Sequence, residues 1–119
     1  MFLLIIALSL SITEYAYVKN TQQNYIEKLN KAEGYFSDKE FSDAKKLSEQ
    51  IKSEWANTKE ILNIFLIQDK VEDISENIEN LCEYAQNEKS DEYIWECKKI
   101  KRQLLSLKES ELPYLKNLL

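Results

Sequence analysis

Apolar side chains fall along this chain as one solid block followed by a series of narrow seams. The block, MFLLIIALSLSITEYAYV, opens at Met1 and fades at Val18; no charge interrupts residues 2–12. Beyond it Tyr15, Val18, Gln22, Tyr25, Leu29, Ala32 and Phe36 recur every three or four residues, one stripe of an amphipathic helix. A break is expected over residues 34–38, where Ser37 and Glu40 have capping-box spacing and Asp38 adds negative charge to the next helix's first turn. A second stripe follows in Phe41, Ala44, Leu47 or Ser48, Ile51, Trp55, Thr58, Leu62 and Phe65, and a third in Val71, Ile74, Ile78, Leu81 and Ala85. The boundary between them is soft. The fourth stripe is Ile94, Cys97, Ile100, Leu104 and Leu107, with Trp95 and Leu105 flanking it and Ser90 or Asp91 able to cap its start. That helix is expected to end near Glu111, with Pro113 opening a short last turn that contains Tyr114, Leu115, Leu118 and Leu119.

A single Gly and a single Pro in 119 residues leave little material for tight turns, so long helices with few connections are expected. The fold class is all-α: an N-terminal membrane-anchor helix (residues 1–18) continuing into an antiparallel four-helix bundle (residues 19–119) made of two helical hairpins. With the first turn centred between Asp38 and Lys39, Phe41 should meet Phe36, Ala44 Ala32, Ser48 Leu29, Trp55 Gln22, Thr58 Val18 and Leu62 Tyr15. Trp55 reads as core filler. Tyr35, Phe41, Ala44 and Ile51 have loose counterparts in Tyr84, Ile94, Cys97 and Leu104. Such hairpins resemble tetratricopeptide units, but a period of about 53 residues is too long and the Trp, Gly and Pro signature is absent.

As a helix, residues 2–18 reach roughly 25 Å, just short of the about 30 Å hydrocarbon core, with Tyr15 and Tyr17 where interfacial anchors belong. A single-pass anchor in membrane lipid is the first reading. A cleaved signal, with the small Ala7 and Ser9 near its cut, is the second. A core helix is the third and the weakest, because a helix apolar on all sides needs a larger protein around it. No Lys or Arg precedes the block, so orientation is weakly specified; the N-terminus is expected inside and the bulk outside the cytoplasmic membrane. A start upstream of Met1 would supply the missing charge. Folding the second helix back brings residues 61–67 level with residues 10–16. Either that helix bends near Asn63 onto the membrane surface, or the anchor lies partly outside the bilayer.

Charge and chemistry narrow the function. Sixteen basic against 21 acidic side chains give −5, which argues against a nucleic-acid partner. Histidine is missing, and no phosphate loop, nucleophile elbow or zinc spacing occurs, so neither an enzyme, a cofactor nor a metal is expected. Glu72, Asp73, Glu76 and Glu79 read as a solvated face, as do Lys98, Lys99, Lys101 and Arg102. Cys82 and Cys97 occupy facing positions and form a candidate disulfide that an extracytoplasmic site would allow; the competing reading is two free core thiols. The apolar ends, Ile61, Ile64, Phe65 and Ile67 with Leu115 and Leu118, form a candidate interaction surface for membrane or a protein partner, unless they complete the core. The function expected is a membrane-tethered, extracytoplasmic interaction or scaffold protein without catalysis. The alternative is a secreted or sensor-type ligand-binding bundle freed by signal cleavage.

The apolar start with Glu14-Tyr15 at its outer edge, the Tyr- and Leu-rich helix, Ala44-Lys45-Lys46-Leu47, and Trp55 with Thr58-Lys59 resemble domain of unknown function 4363, a family of small membrane-anchored proteins of spore-forming Gram-positive bacteria. The similarity covers nearly the whole chain. It implies placement and fold, and no activity or catalytic residues. Where the family pattern has a His-Glu pair after the second helix, this chain has Asp69-Lys70, so nothing resting on that histidine carries over.

Overall fold

The computed structural model describes the backbone of residues 1–65 and 68–118; the side chains of Ser11, Phe65 and residues 108–118 fall outside the description. Four helices follow one another: α1 (Phe2–Ser37), α2 (Phe41–Phe65), α3 (Gln68–Gln86) and α4 (Ser90–Leu118). Each packs against the next, and α4 closes back on α1, giving an antiparallel four-helix bundle. The molecule is 57 × 19 × 19 Å. The 36-residue α1 sets the long dimension, at about 54 Å by helical rise.

The seams become the core. Val18, Tyr25, Leu29, Ala32 and Phe36 of α1, Ala44, Ile51, Trp55 and Leu62 of α2, Val71, Ile74, Ile78, Leu81 and Ala85 of α3, and Cys97, Ile100, Leu104 and Leu107 of α4 are all buried. Trp55 is core, as expected, and joins three helices. Its ring meets Tyr25 edge-on at 5.3 Å, and its indole N–H donates to Ser75 Oγ at 2.7 Å, so its polar atom is satisfied where its face is buried.

In α4 the seam differs from expectation by one position at its start. Tyr93, not Ile94, enters the core; its ring stacks on Phe36 at 4.0 Å and its hydroxyl lies 2.6 Å from Ser48 Oγ. Ser48 spends its own proton on the Ala44 carbonyl, so Tyr93 is the donor between them.

The two interhelix turns share one geometry. Lys39 and Glu88 both take left-handed φ values (60° and 53°), and in each turn a backbone N–H reaches back to the carbonyl of a tyrosine, Glu40 to Tyr35 and Lys89 to Tyr84. These are Schellman-type helix ends made without glycine. The expected Ser37 capping box does not form, because α1 runs through Ser37 and α2 begins only at Phe41. Likewise Ser90 is the first residue of α4 rather than its cap, while Asp91 and Glu92 place negative charge in its first turn.

Anchored on those tyrosines, the hairpins repeat at 49 residues, not about 53. Buried Gln22, Tyr25, Leu29, Ala32 and Phe36 correspond to buried Val71, Ile74, Ile78, Leu81 and Ala85, and Ala44, Ser48, Ile51 and Trp55 to Tyr93, Cys97, Ile100 and Leu104. The Lys28–Glu54 ion pair of the first hairpin recurs as the 2.7 Å bond from Asn77 to Gln103 in the second. Volume is conserved by exchange. Phe36 and Tyr93 supply one large pair where Ala85 and Ala44 supply a small one, so the rings fill the space the alanines leave.

Contacts within the first hairpin are displaced from the expected levels as the distance from the turn grows. Phe36 meets Phe41 as expected, at 5.2 Å, but Trp55 and Thr58 meet Tyr25 rather than Gln22 and Val18. Helical side chains tilt toward their own N-terminus. In antiparallel neighbours the two tilts oppose, so long side chains touch partners about one turn away from those level with their Cα atoms. Gln22 turns elsewhere, donating to the Leu104 carbonyl of α4 at 2.6 Å. Finally, α4 stays helical through Pro113 to Leu118, and the expected stop near Glu111 is not made.

Candidate functional site

Two surfaces stand out from the soluble faces of the bundle. The first is the start of α1. Leu3, Leu4, Ile5, Ile6, Leu8, Leu10 and Ile12 are all exposed, cover begins with the half-buried Glu14 and Tyr15, and Val18 is the first fully buried residue. Among the described residues one helix, α1, is long and apolar enough over this stretch to cross a membrane, and the bundle leaves that stretch almost wholly bare. No break separates it from the bundle; α1 is one helix across both.

Of the predicted interaction residues, Ile61 and Ile64 are exposed, Ile64 at 76 %. Ile67 lies outside the described residues, as do the side chains of Phe65, Leu115 and Leu118. Leu62 between them is fully buried, so this end of α2 remains part of the bundle through that position.

The second surface was missed by pattern reading. Trp95 (62 % exposed) and Leu105 (52 %) lie on the outer side of α4, and the Arg102 guanidinium sits 5.5 Å from the centre of the Trp95 ring. Taken as flanks of a seam, they are an aromatic and an aliphatic group in water, with exposed Lys98 and Lys99 beside them. The signal available in the sequence was the 49-residue offset, which places Trp95 opposite polar Lys46 rather than opposite a core residue. Lys101, by contrast, is engaged: it donates to Asn30 at 2.8 Å and pairs with Glu33 at 2.9 Å on α1.

Beside Trp95 the Glu96 carboxyl is buried at 5 % exposure, and its Oε1 has no hydrogen-bond partner. Burial pushes its pKa above the ordinary 4.5, with Lys99 opposing weakly. The first hairpin has Leu47 at the corresponding position. Glu96→Leu should therefore stabilise the fold by about 1–2 kcal/mol, the scale of one buried unsatisfied polar group. Because the folded state holds this proton more tightly than the unfolded state, wild-type stability from Glu96 falls as pH rises from about 4.5 through the elevated folded pKa. Urea unfolding of both proteins should show a gap that is larger at pH 7 than at pH 4; a constant gap contradicts it.

Cys82 and Cys97, the candidate disulfide, are both free and buried. The Cys82 thiol donates to the Ser48 carbonyl of α2 at 3.3 Å. Burial raises both thiol pKa values, that of Cys82 to about 12. Native protein should react with iodoacetamide at neutral pH at least ~100-fold more slowly than protein in denaturant, because the thiolate is the nucleophile. Denaturation without reductant should yield two adducts by intact mass. Zero adducts would mean a bridge.

Among the described residues no group of three or more His, Cys, Asp or Glu is placed to hold a metal ion. The groove between α2 and α3, about 360 Å³, is at the small end for ligand sites and is lined by Trp55, Ala56 and Ile78 together with the polar Glu49, Lys52, Ser53, Lys59, Ser75 and Glu79.

Together these features define an all-helical bundle extended by a bare apolar helix segment. Residues 12–118 match the family described as Domain of unknown function (DUF4363), and the chain belongs to that family. No curated protein and no solved structure matches it.

Proposed function

We propose that this protein is a membrane-tethered helical interaction or scaffold module, its bundle displayed outside the cytoplasmic membrane, acting by binding rather than by catalysis. The observation that carries the reading is the uncovered apolar start of α1: burying side chains such as Leu3, Leu4, Leu10 and Ile12 in lipid is worth roughly 1.5–3 kcal/mol each, and the bundle buries none of them. Trp95, Leu105 and the basic groups around them are the face offered to a protein partner, since aromatic and Arg side chains dominate interface energetics. Protease added to intact producing cells should degrade the bundle; protection until the cells are permeabilised would overturn the outside placement.

A second reading, release by signal cleavage, is supported by one feature. Core burial begins at Val18, so a cut near Ala7 or Ser9 would leave every buried residue in place. Intact mass of the mature protein separates the two: the full 119-residue mass supports the tether, and a mass lacking the first residues supports release.

A further inference from the structure

We propose that the end of the bundle from which α1 emerges is itself seated in the bilayer interface, with Ile61 and Ile64 of α2 in contact with lipid. This rests on the tether reading above. The occupant follows from α1's continuity. No polar linker separates uncovered Ile12 from buried Val18, and about 9 Å of helical rise is all that lies between them. The α1–α2 turn, fixed by the Phe36–Phe41 contact, sets the Ile64 Cα level with about residue 13 and that of Ile61 with about residue 16.

With residues 2–18 needed to cross the hydrocarbon, α1 leaves it between Ile12 and Val18, so Ile64 and Ile61 stand at or just inside its boundary. The headgroup layer, about 5–7 Å deep on each side, takes in the next turn. The side chains fit that gradient. Ile64 (76 % exposed) and Ile61 (41 %) project from α2 as two apolar groups that the bundle does not need. Lys19, Lys59, Lys70, Glu60 and Asp69 cluster at the same end, close to the level of residues 58–62 of α2, with the Lys59–Glu72 pair at 3.3 Å among them. Such a mixed-sign collar suits zwitterionic headgroups, and Tyr15 and Tyr17 share its level, where aromatic anchors belong. The end of α2 thus gives the bundle a second foothold beside α1. A rod held at two points stands in a fixed orientation, not free to swing on a stalk.

The test uses the full chain in phosphatidylcholine vesicles, labelled with an environment-sensitive fluorophore at Ile64→Cys and, as control, at Ser37→Cys by the opposite turn. Both positions are exposed, so neither substitution disturbs packing, and the buried native thiols stay unlabelled. Position 64 should be quenched at least ~3-fold more strongly by nitroxide-bearing lipid than position 37 and be shielded from aqueous iodide, with position 37 showing the reverse. Iodide access at 64 equal to that at 37, with the chain still on the vesicles, overturns the seating and leaves the tether standing. Shielding from both quenchers means that protein, such as a second copy, covers the end of α2, and it overturns the proposal too. A chain that does not stay with the vesicles removes both the tether and the seating.

Discussion

Tyr93→Ala should destabilise the bundle by about 3–5 kcal/mol, the range for emptying a buried aromatic site. That is a large share of the 5–15 kcal/mol that holds a domain of this size together. Two losses combine. The ring stacked 4.0 Å from Phe36 disappears, leaving a void between α1 and α4 that two neighbouring alanines, Ala44 and Ala85, are too small to fill. The hydroxyl that donates to Ser48 goes as well. Tyr93→Phe isolates the second loss and should cost only about 1 kcal/mol, because Ser48 keeps its bond to the Ala44 carbonyl. Trp95→Ala, two residues away and facing water, should change stability by less than about 0.5 kcal/mol. Urea unfolding of the four proteins checks the series. A mild Tyr93→Ala together with a costly Trp95→Ala would contradict this placement of the two rings, Tyr93 in the core and Trp95 in water.

Removing residues 2–12 should shift the protein from almost wholly membrane-bound to almost wholly soluble while leaving the bundle folded. Every described side chain in the deleted stretch is exposed, and among the described residues the core begins at Val18, so thermal unfolding should keep its midpoint to within a few degrees. Helical signal should fall only by the share of the missing turns. Leu4→Arg with Leu8→Arg is the gentler version: each charge in mid-bilayer disfavours insertion by about 2.5–3.5 kcal/mol. Loss of cooperative unfolding on deletion would show that the segment packs against protein.

Much of the fold was legible because it rests on periodicity. The stripes in α1, α2 and α3 name nearly every buried residue of those helices. What escaped was decided by three-dimensional detail. Ile94 and Tyr93 are adjacent and both apolar, and the choice between them was set by the turn at Glu88, whose left-handed backbone fixes the phase of α4. Tyr25 reaches Trp55 and Thr58 because side-chain tilt displaces contacts from Cα levels, an effect that no pairing of position numbers contains. Ser37 had capping chemistry but lay inside α1, and Pro113, a usual stop, lies inside α4. The burial of Glu96 contradicts its residue type and was readable only through its correspondence with Leu47, 49 residues earlier. On the functional side, the bare apolar start was plain from composition. Exposed Trp95 was not, since a tryptophan beside a seam is ordinarily core.

The most direct measurement is fractionation of producing cells, with the membrane pellet washed in alkaline carbonate and the retained protein weighed by intact mass. Retention of the uncut 119-residue chain in the washed pellet is the expected result. Uncut chain in the supernatant would contradict it, for then residues 2–12 hold nothing in lipid.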